Sequence, residues 1–195
     1  MAIKKFKESD EDEIAKKTIM REVKMLRLLK YKNIVLLKEA FKRKGKLYLV
    51  FEYVEKNLLE VLEDNAVGID PKRLRFYIYQ IIKGVTFCHK NYVVHRDIKP
   101  ENILLSEDHV KLADFGSCRG IYSKQPYTEY ISTRWYRAPE CLLTDGYYSY
   151  KMDIWGVGCV MYEVLSLCPL FPGDDELDQI NRIHSICGTP SDKIL

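Results

Sequence analysis

Excess charge of one sign is the first thing missing from this sequence: 31 Lys and Arg stand against 28 Asp and Glu, a formal net charge of +3 over 195 residues. Such a balance makes no broad field for a nucleic-acid backbone or an anionic bilayer, so no nucleic-acid partner is expected. Basic residues do gather near the start (Lys4, Lys5, Lys7, Lys16, Lys17), but Glu8, Asp10, Glu11, Asp12 and Glu13 interrupt them, as on a solvated face. Also missing is any C-x-x-C pair. The six cysteines (Cys88, Cys118, Cys141, Cys159, Cys168, Cys187) are scattered, four of them in apolar helical surroundings, which suits neither zinc nor a disulfide framework. Free thiols imply a reducing compartment; the expected location is cytoplasmic, with the nucleus left open. No signal peptide precedes Ala2, and no apolar run is both long and unbroken. The stretch 154–171 is interrupted by Glu163 and Pro169, so it is predicted as a buried core helix, without membrane insertion. Repeats, low-complexity segments and a G-x-G-x-x-G are absent too.

What is present is the composition of a folded domain, or of two small lobes: 47% hydrophobic and 30% charged residues, enough apolar matter for a core. Residues 2–6 form a short apolar-basic run compatible with a strand. Helical spacing follows over 13–29 through Ile14, Ile19, Val23, Leu26 and Leu29. Residues 34–41 and 47–53 are predicted strands around a Lys44-Gly45 turn. Beyond Val54 the pattern changes. A short helix is expected over 57–63, and a long one after Asp70-Pro71, with Asp as N-cap and Pro in the first turn, where its missing N–H is no loss. Its stripe runs Leu74, Ile78, Ile81, Val85, Cys88. Residues 103–105 and 110–112 suggest a small hairpin, and 116–137 a long loop. A helix over 151–167 is apolar on nearly every side. Asp174 is expected to cap a last helix through Leu177, Ile180, Ile183 and Ile186, ended by Gly188.

Between two apolar runs lies VVHRDIKPENILL, residues 93–105, which concentrates His95, Arg96, Asp97, Lys99, Glu101 and Asn102 on a loop between the long helix and the hairpin. Asp114-Phe115-Gly116 follows the hairpin. One such triplet is weak evidence; H-R-D-x-K-P-x-N followed by D-F-G resembles the catalytic loop and metal-binding turn of eukaryotic protein kinases. The resemblance implies an α+β, bilobal fold, with residues 1–54 as part of a β-rich small lobe and 55–195 as part of a mainly helical large lobe. It implies ATP and Mg²⁺ as cofactors and transfer of a phosphoryl group, a reaction that asks the protein for positioning and charge neutralisation. Asp97 would orient the substrate hydroxyl, Lys99 would balance charge on the phosphoryl group, and Asn102 and Asp114 would hold the metal through oxygen.

The likeness extends in both directions. Ala2-Ile3-Lys4 is similar to the strand whose Lys grips the nucleotide phosphates, and Glu22 to its ion-pair partner. Phe51 falls at the gatekeeper position and Glu52–Val54 at the hinge, with Ala2 and Leu104 sandwiching the adenine. Leu26, Leu37, His95 and Phe115 match the stack that aligns the lobes. Asp153 matches the residue bracing the catalytic loop, and Ala138-Pro139-Glu140 the end of the activation segment. That segment carries Thr128-Glu129-Tyr130 ahead of Thr133-Arg134-Trp135-Tyr136-Arg137, as in the branch of MAP kinases and cyclin-dependent kinases, the CMGC group. Phosphates on Thr128 and Tyr130, from an upstream kinase or by autophosphorylation, would meet Arg21, Arg96 and Arg119, and Arg134 and Arg137 respectively. Protein substrates with Ser/Thr followed by Pro are implied. Residues 1–65 look closest to cyclin-dependent-kinase-like kinases, and 116–146 to the MAPK/MAK/MRK overlapping kinases.

Relative to that pattern, Met1 stands where Val is usual, and the strands of the Gly-rich loop and the last helices are expected to be missing, with the Arg that would pair Glu140. Two readings stay open: a Ser/Thr kinase domain, and a weak or inactive kinase-derived module that binds partner proteins.

Overall fold

A computed structural model describes residues 1–6, 20, 23–65, 67–122, 133–144, 146 and 149–191. Strand β1 (Ala2–Lys5) is followed by helical residues 23–28, here α1, and by β2 (Leu37–Arg43) and β3 (Lys46–Phe51). The three strands form an antiparallel sheet in the order β1-β3-β2. The predicted turn between β2 and β3 is present, with Lys44 and Gly45 both at positive φ. The strand predicted to start at residue 34 starts at Leu37 instead. Ile34 is taken by a parallel bridge to Leu112, and Val35 N–H donates to the Leu112 carbonyl at 2.9 Å, so this stretch is pinned to the helical half of the molecule.

A two-residue strand β4 (Lys56–Asn57) leads into α2 (Leu58–Glu63), where Asn57 and Glu60 cap each other's backbone reciprocally. Helix α3 (Pro71–Lys90) begins as predicted, with Asp70 accepting from Lys72 and Arg73 N–H, and its stripe of Leu74, Ile78, Ile81, Val85 and Cys88 is buried. Strand β5 (Val93–Val94) precedes the hairpin of β6 (Ile103–Ser106) and β7 (His109–Leu112), which joins β4 in a second sheet. The loop expected over 116–137 has structure of its own: a 3-10 turn at Phe115–Ser117, strand β8 (Arg119–Gly120) paired with β5, and a 3-10 turn at Arg134–Tyr136. Pairing with β5, invisible to local pattern, orders Arg119 and Gly120, while residues 123–132 of the expected loop lie outside the described residues. Helices α4 (Pro139–Leu143), α5 (Lys151–Ser166) and α6 (Glu176–Cys187) complete the order.

Two helix expectations need correction. On α5, Ile154, Met161, Tyr162 and Leu165 are exposed, so the helix is not covered all round. The N-cap of α6 is Asp175 rather than Asp174, and its buried residues are Gln179 and Ile183, while Leu177 and Ile186 face outward. One core runs from Val23 and Leu26 through Leu49, Ile81 and Leu112 to Val160 and Val164, joining sheet and helices. All six cysteines are free thiols. Among the described residues no helix is long and apolar enough to cross a membrane.

Candidate active site

The loop after α3 is shaped by one buried carboxylate. Asp153, in the first turn of α5 and with no side-chain exposure, accepts from His95 N–H at 2.9 Å and from His89 Nε2 at 2.8 Å on Oδ2, and from Arg96 N–H at 2.8 Å on Oδ1. These bonds hold Arg96 at a φ of 74°, a left-handed conformation that costs an L-residue about 1–2 kcal/mol. The turn so made sends successive side chains in different directions. His95, fully buried, meets the Phe115 ring edge-on at 4.7 Å between centroids. Its Nδ1 accepts from Asp97 N–H at 3.2 Å, so Nε2 carries the proton and donates to the Ala113 carbonyl at 3.0 Å.

Asp97, Lys99 and Asn102 come together. Asn102 Nδ2 donates to the Asp97 carbonyl at 2.9 Å and to its Oδ2 at 2.7 Å, and Lys99 Nζ lies 3.5 Å from the same oxygen. Pro100 opens the 3-10 turn Pro100–Asn102 that brings Asn102 back to Asp97. Asn102 in turn accepts Ala113 N–H on its backbone carbonyl at 2.9 Å, which puts Asp114 next in line. Asp114 has a φ of 58°, and its Oδ1 receives Lys4 Nζ at 3.0 Å. Partial desolvation beside the cavity pushes this half-exposed carboxyl up, but the Lys4 charge and hydrogen bond pull harder, and the net position is below the ordinary carboxylate value.

Above these groups opens a cavity of about 410 Å³ lined by Ala2, Lys4, Phe51, Glu52, Val54, Leu104 and Asp114, together with Leu26, Val35, Ala113 and Phe115. It is apolar apart from a few polar groups, the usual make-up of a small-molecule site. Of the residues expected around a nucleotide, only Glu22 is not among them; it lies outside the described residues, and Lys4 is engaged by Asp114. Glu52 is braced at the rim by Lys111 at 2.9 Å and by Leu36 N–H at 2.7 Å. Leu26 and Phe115 are buried in one cluster with Leu37 packed on it.

The predicted phosphate-meeting set is only partly described. Arg21, Thr128 and Tyr130 lie outside the described residues. Arg96 is buried, and Arg119 donates to the Cys118 carbonyl at 2.9 Å. Arg134 and Arg137 reach toward the start of α6, to the Asp174 carbonyl at 3.1 Å and to Glu176 at 3.7 Å. Sequence reasoning passed over the polar residues that hold this frame. Asn33 and Gln80 form a buried pair at 3.0 Å that ties the segment leading into β2 to α3 and, through Val110, to β7. Tyr136 donates to Glu163 at 2.6 Å, and Gln179 is fully buried. The available signal was a polar residue inside an apolar stripe, which Gln80 and Glu163 both show.

Residues 1–193 match the protein kinase domain family model. The chain is 55% identical over 179 residues to the human MAPK/MAK/MRK overlapping kinase, covering 90% of this chain and 43% of that protein. It is 54% identical over 198 residues to mouse cyclin-dependent kinase-like 5, covering 100% of this chain and 21% of that protein. With rat cyclin-dependent kinase-like 2 it shares 47% over 190 residues, 96% of this chain and 38% of the relative. The chain thus spans less than half the length of each, and both resemblances seen in its two parts are matched at similar identity. It belongs to the protein kinase family, within the CMGC group that holds the MAP-kinase-like and cyclin-dependent-kinase-like Ser/Thr kinases.

Proposed function

We propose that this chain carries the catalytic apparatus for ATP-dependent phosphorylation of Ser or Thr in protein substrates. The observation that supports it is the meeting of Asp97, Lys99 and Asn102 around one oxygen, beside Asp114 and under a cavity lined by Lys4 and the 51–54 segment. In this reading Asp97, held by Asn102, orients the attacking hydroxyl and takes its proton, while Lys99 and Lys4 neutralise phosphate charge. Asn102 has its amide N–H₂ directed at Asp97, which leaves the side-chain oxygen to serve as a metal ligand; with the Asp114 carboxylate this is the hard oxygen pair that suits Mg²⁺. When bound, the metal would shield charge on the nucleotide phosphates. Phe51, Glu52 and Val54 would bind the adenine edge, with Ala2 and Leu104 on its two faces.

Substrate choice and control follow from the same reading. The T-R-W-Y-R segment supports Ser/Thr-Pro peptides, and phosphorylation of Thr128 and Tyr130, by another kinase or in cis, raises activity. A second reading, a binding module with little catalysis, is favoured by one observation: Lys4 rests on the carboxylate assigned to the metal.

Incorporation of radiolabelled phosphate from MgATP by the purified chain, beside Asp97→Asn, tests the first reading. Loss of at least about a hundredfold in the variant is expected; equal incorporation by both would sink the claim of catalysis. A Ser-Pro peptide should be preferred about tenfold or more over its Ser-Ala counterpart. Thr128→Ala and Tyr130→Phe should each lower the rate, and unchanged rates in both would retire the regulatory part.

A further inference from the structure

The turn Arg134–Tyr136 is tied down more firmly than its place between two loops would require. Trp135 donates its indole N–H to the Gly173 carbonyl at 3.0 Å, and Tyr136 donates to Glu163 on α5 at 2.6 Å. Behind them stands Gln179 on α6, with no solvent exposure. Its Oε1 accepts Gly173 N–H at 3.0 Å, and its Nε2 faces the Trp135 carbonyl at 3.5 Å. One carboxamide therefore touches both strips of chain that the Trp135 indole also joins, closing a ring from Trp135 through Gly173 and Gln179 back to Trp135.

Gly173 is part of the same device. A Cβ there would come within 2.6 Å of the Gln179 Cα, so the close approach of this backbone to α6 admits no side chain. A buried amide whose partners are all backbone groups is costly to leave unpaired and hard to replace by an apolar residue of the same size. None of this is needed to build α6, which has its own cap from Asp175 to Asp178 N–H at 2.8 Å.

We propose that Gln179 is a positioning residue for the peptide substrate. Through Gly173 and Trp135 it fixes the 134–136 turn, so that the residue following the phosphoacceptor meets a preformed surface rather than a loop that must be ordered on binding. The inference rests on the kinase reading given above. Its chemistry is specific: the Gln179 oxygen shares Gly173 N–H with the Phe171 carbonyl, each at 3.0 Å, while its N–H₂ faces the Trp135 carbonyl, so one side chain meets a donor on one segment and an acceptor on the other, as an amide can.

The test uses the whole chain and three variants: Gln179→Met, which keeps length and volume without either polar function; Gln179→Glu, which keeps the acceptor but not the donor; and Trp135→Phe, which removes the indole N–H. With a Ser-Pro peptide, each variant should raise the peptide KM about fivefold to tenfold, with kcat within about twofold and the KM for ATP unchanged. A general loosening of the fold would lower kcat and disturb ATP binding as well. Unchanged peptide KM, or a fall in kcat alone, overturns the proposal. Should the parent chain transfer no phosphate, the kinase reading fails on that result. The clamp is then judged by hydrogen exchange at the Trp135 indole N–H, which Gln179→Met should speed about tenfold or more, and an unchanged rate overturns it.

Discussion

Asp153→Asn removes the least and should cost the most. The carboxylate is wholly buried and receives three bonds, from His95 N–H, Arg96 N–H and His89, at 2.8–2.9 Å. An amide of the same shape has one acceptor atom instead of two. If its N–H₂ takes the Oδ1 place it confronts Arg96 N–H; in the Oδ2 place it confronts His95 N–H and His89. Either way at least one buried backbone donor loses its acceptor, worth about 1–3 kcal/mol, and the remaining bonds weaken from charged to neutral, about 1 kcal/mol more. The sum is about 2–4 kcal/mol, against a typical total of about 5–15 kcal/mol. It falls on a turn already holding Arg96 in a left-handed conformation, so the loop should relax as well as weaken. Denaturant unfolding followed by tryptophan fluorescence gives the first number, and mass-spectrometric amide exchange over 93–99 gives the second. A loss below about 1 kcal/mol together with unchanged exchange at 95 and 96 would refute the bracing role given to Asp153.

Three further outcomes are expected. Gly84→Ala gains helix propensity of up to about 1 kcal/mol, but its Cβ would lie 2.9 Å from the Asn33 carbonyl and 3.0 Å from Leu112. Overpacking there costs about 1–3 kcal/mol, so the melting temperature should fall; a rise would show that α3 has room to shift. Lys4→Met should change stability by no more than about 1 kcal/mol, because both partners of the Lys4–Asp114 pair are substantially exposed, 40% and 52%. The depressed Asp114 carboxyl contributes stability that is present above its unfolded pKa of about 3.9 and is lost as pH falls through the lower folded value. Removing Lys4 should move the Asp114 titration upward in side-chain carbon NMR, and no movement would sink the assignment of cause. Burial, with the nearby Glu101 charge, raises Glu163 despite the Tyr136 bond. Its stabilisation is complete below the unfolded value, about 4.3, and is lost as pH rises through the folded one. Glu163→Gln, which still accepts from Tyr136, should therefore raise the melting temperature near neutral pH and flatten its decline from mildly acidic solution; an unaltered pH profile would count against it.

Local pattern sufficed wherever a residue's role depends on its near neighbours. Asp70-Pro71, the stripe from Leu74 to Cys88, the Lys44-Gly45 turn and the hairpin around residues 103–112 were all legible, because caps, helical spacing and turns are decided within a few positions. The pairing of β8 with β5 was not, nor the pinning of Ile34 to Leu112, since both depend on segments far apart in the chain. The cap of α6 was misjudged by one residue because Asp174 and Asp175 are equally good caps on paper. In the fold Asp174 offers its carbonyl to Arg134 and its N–H to Asp178.

By themselves the 195 letters determined which side chains were available for phosphate chemistry, and in what order: Lys4, then Asp97, Lys99 and Asn102, then Asp114. Only the folded chain decided that Asn102 would lean on Asp97, that Lys4 would settle against Asp114, and that Gln80 and Gln179 would be buried as struts. The reason is that a buried polar group is tolerated only where its partners converge on it, and convergence from distant segments is set by packing rather than by spacing.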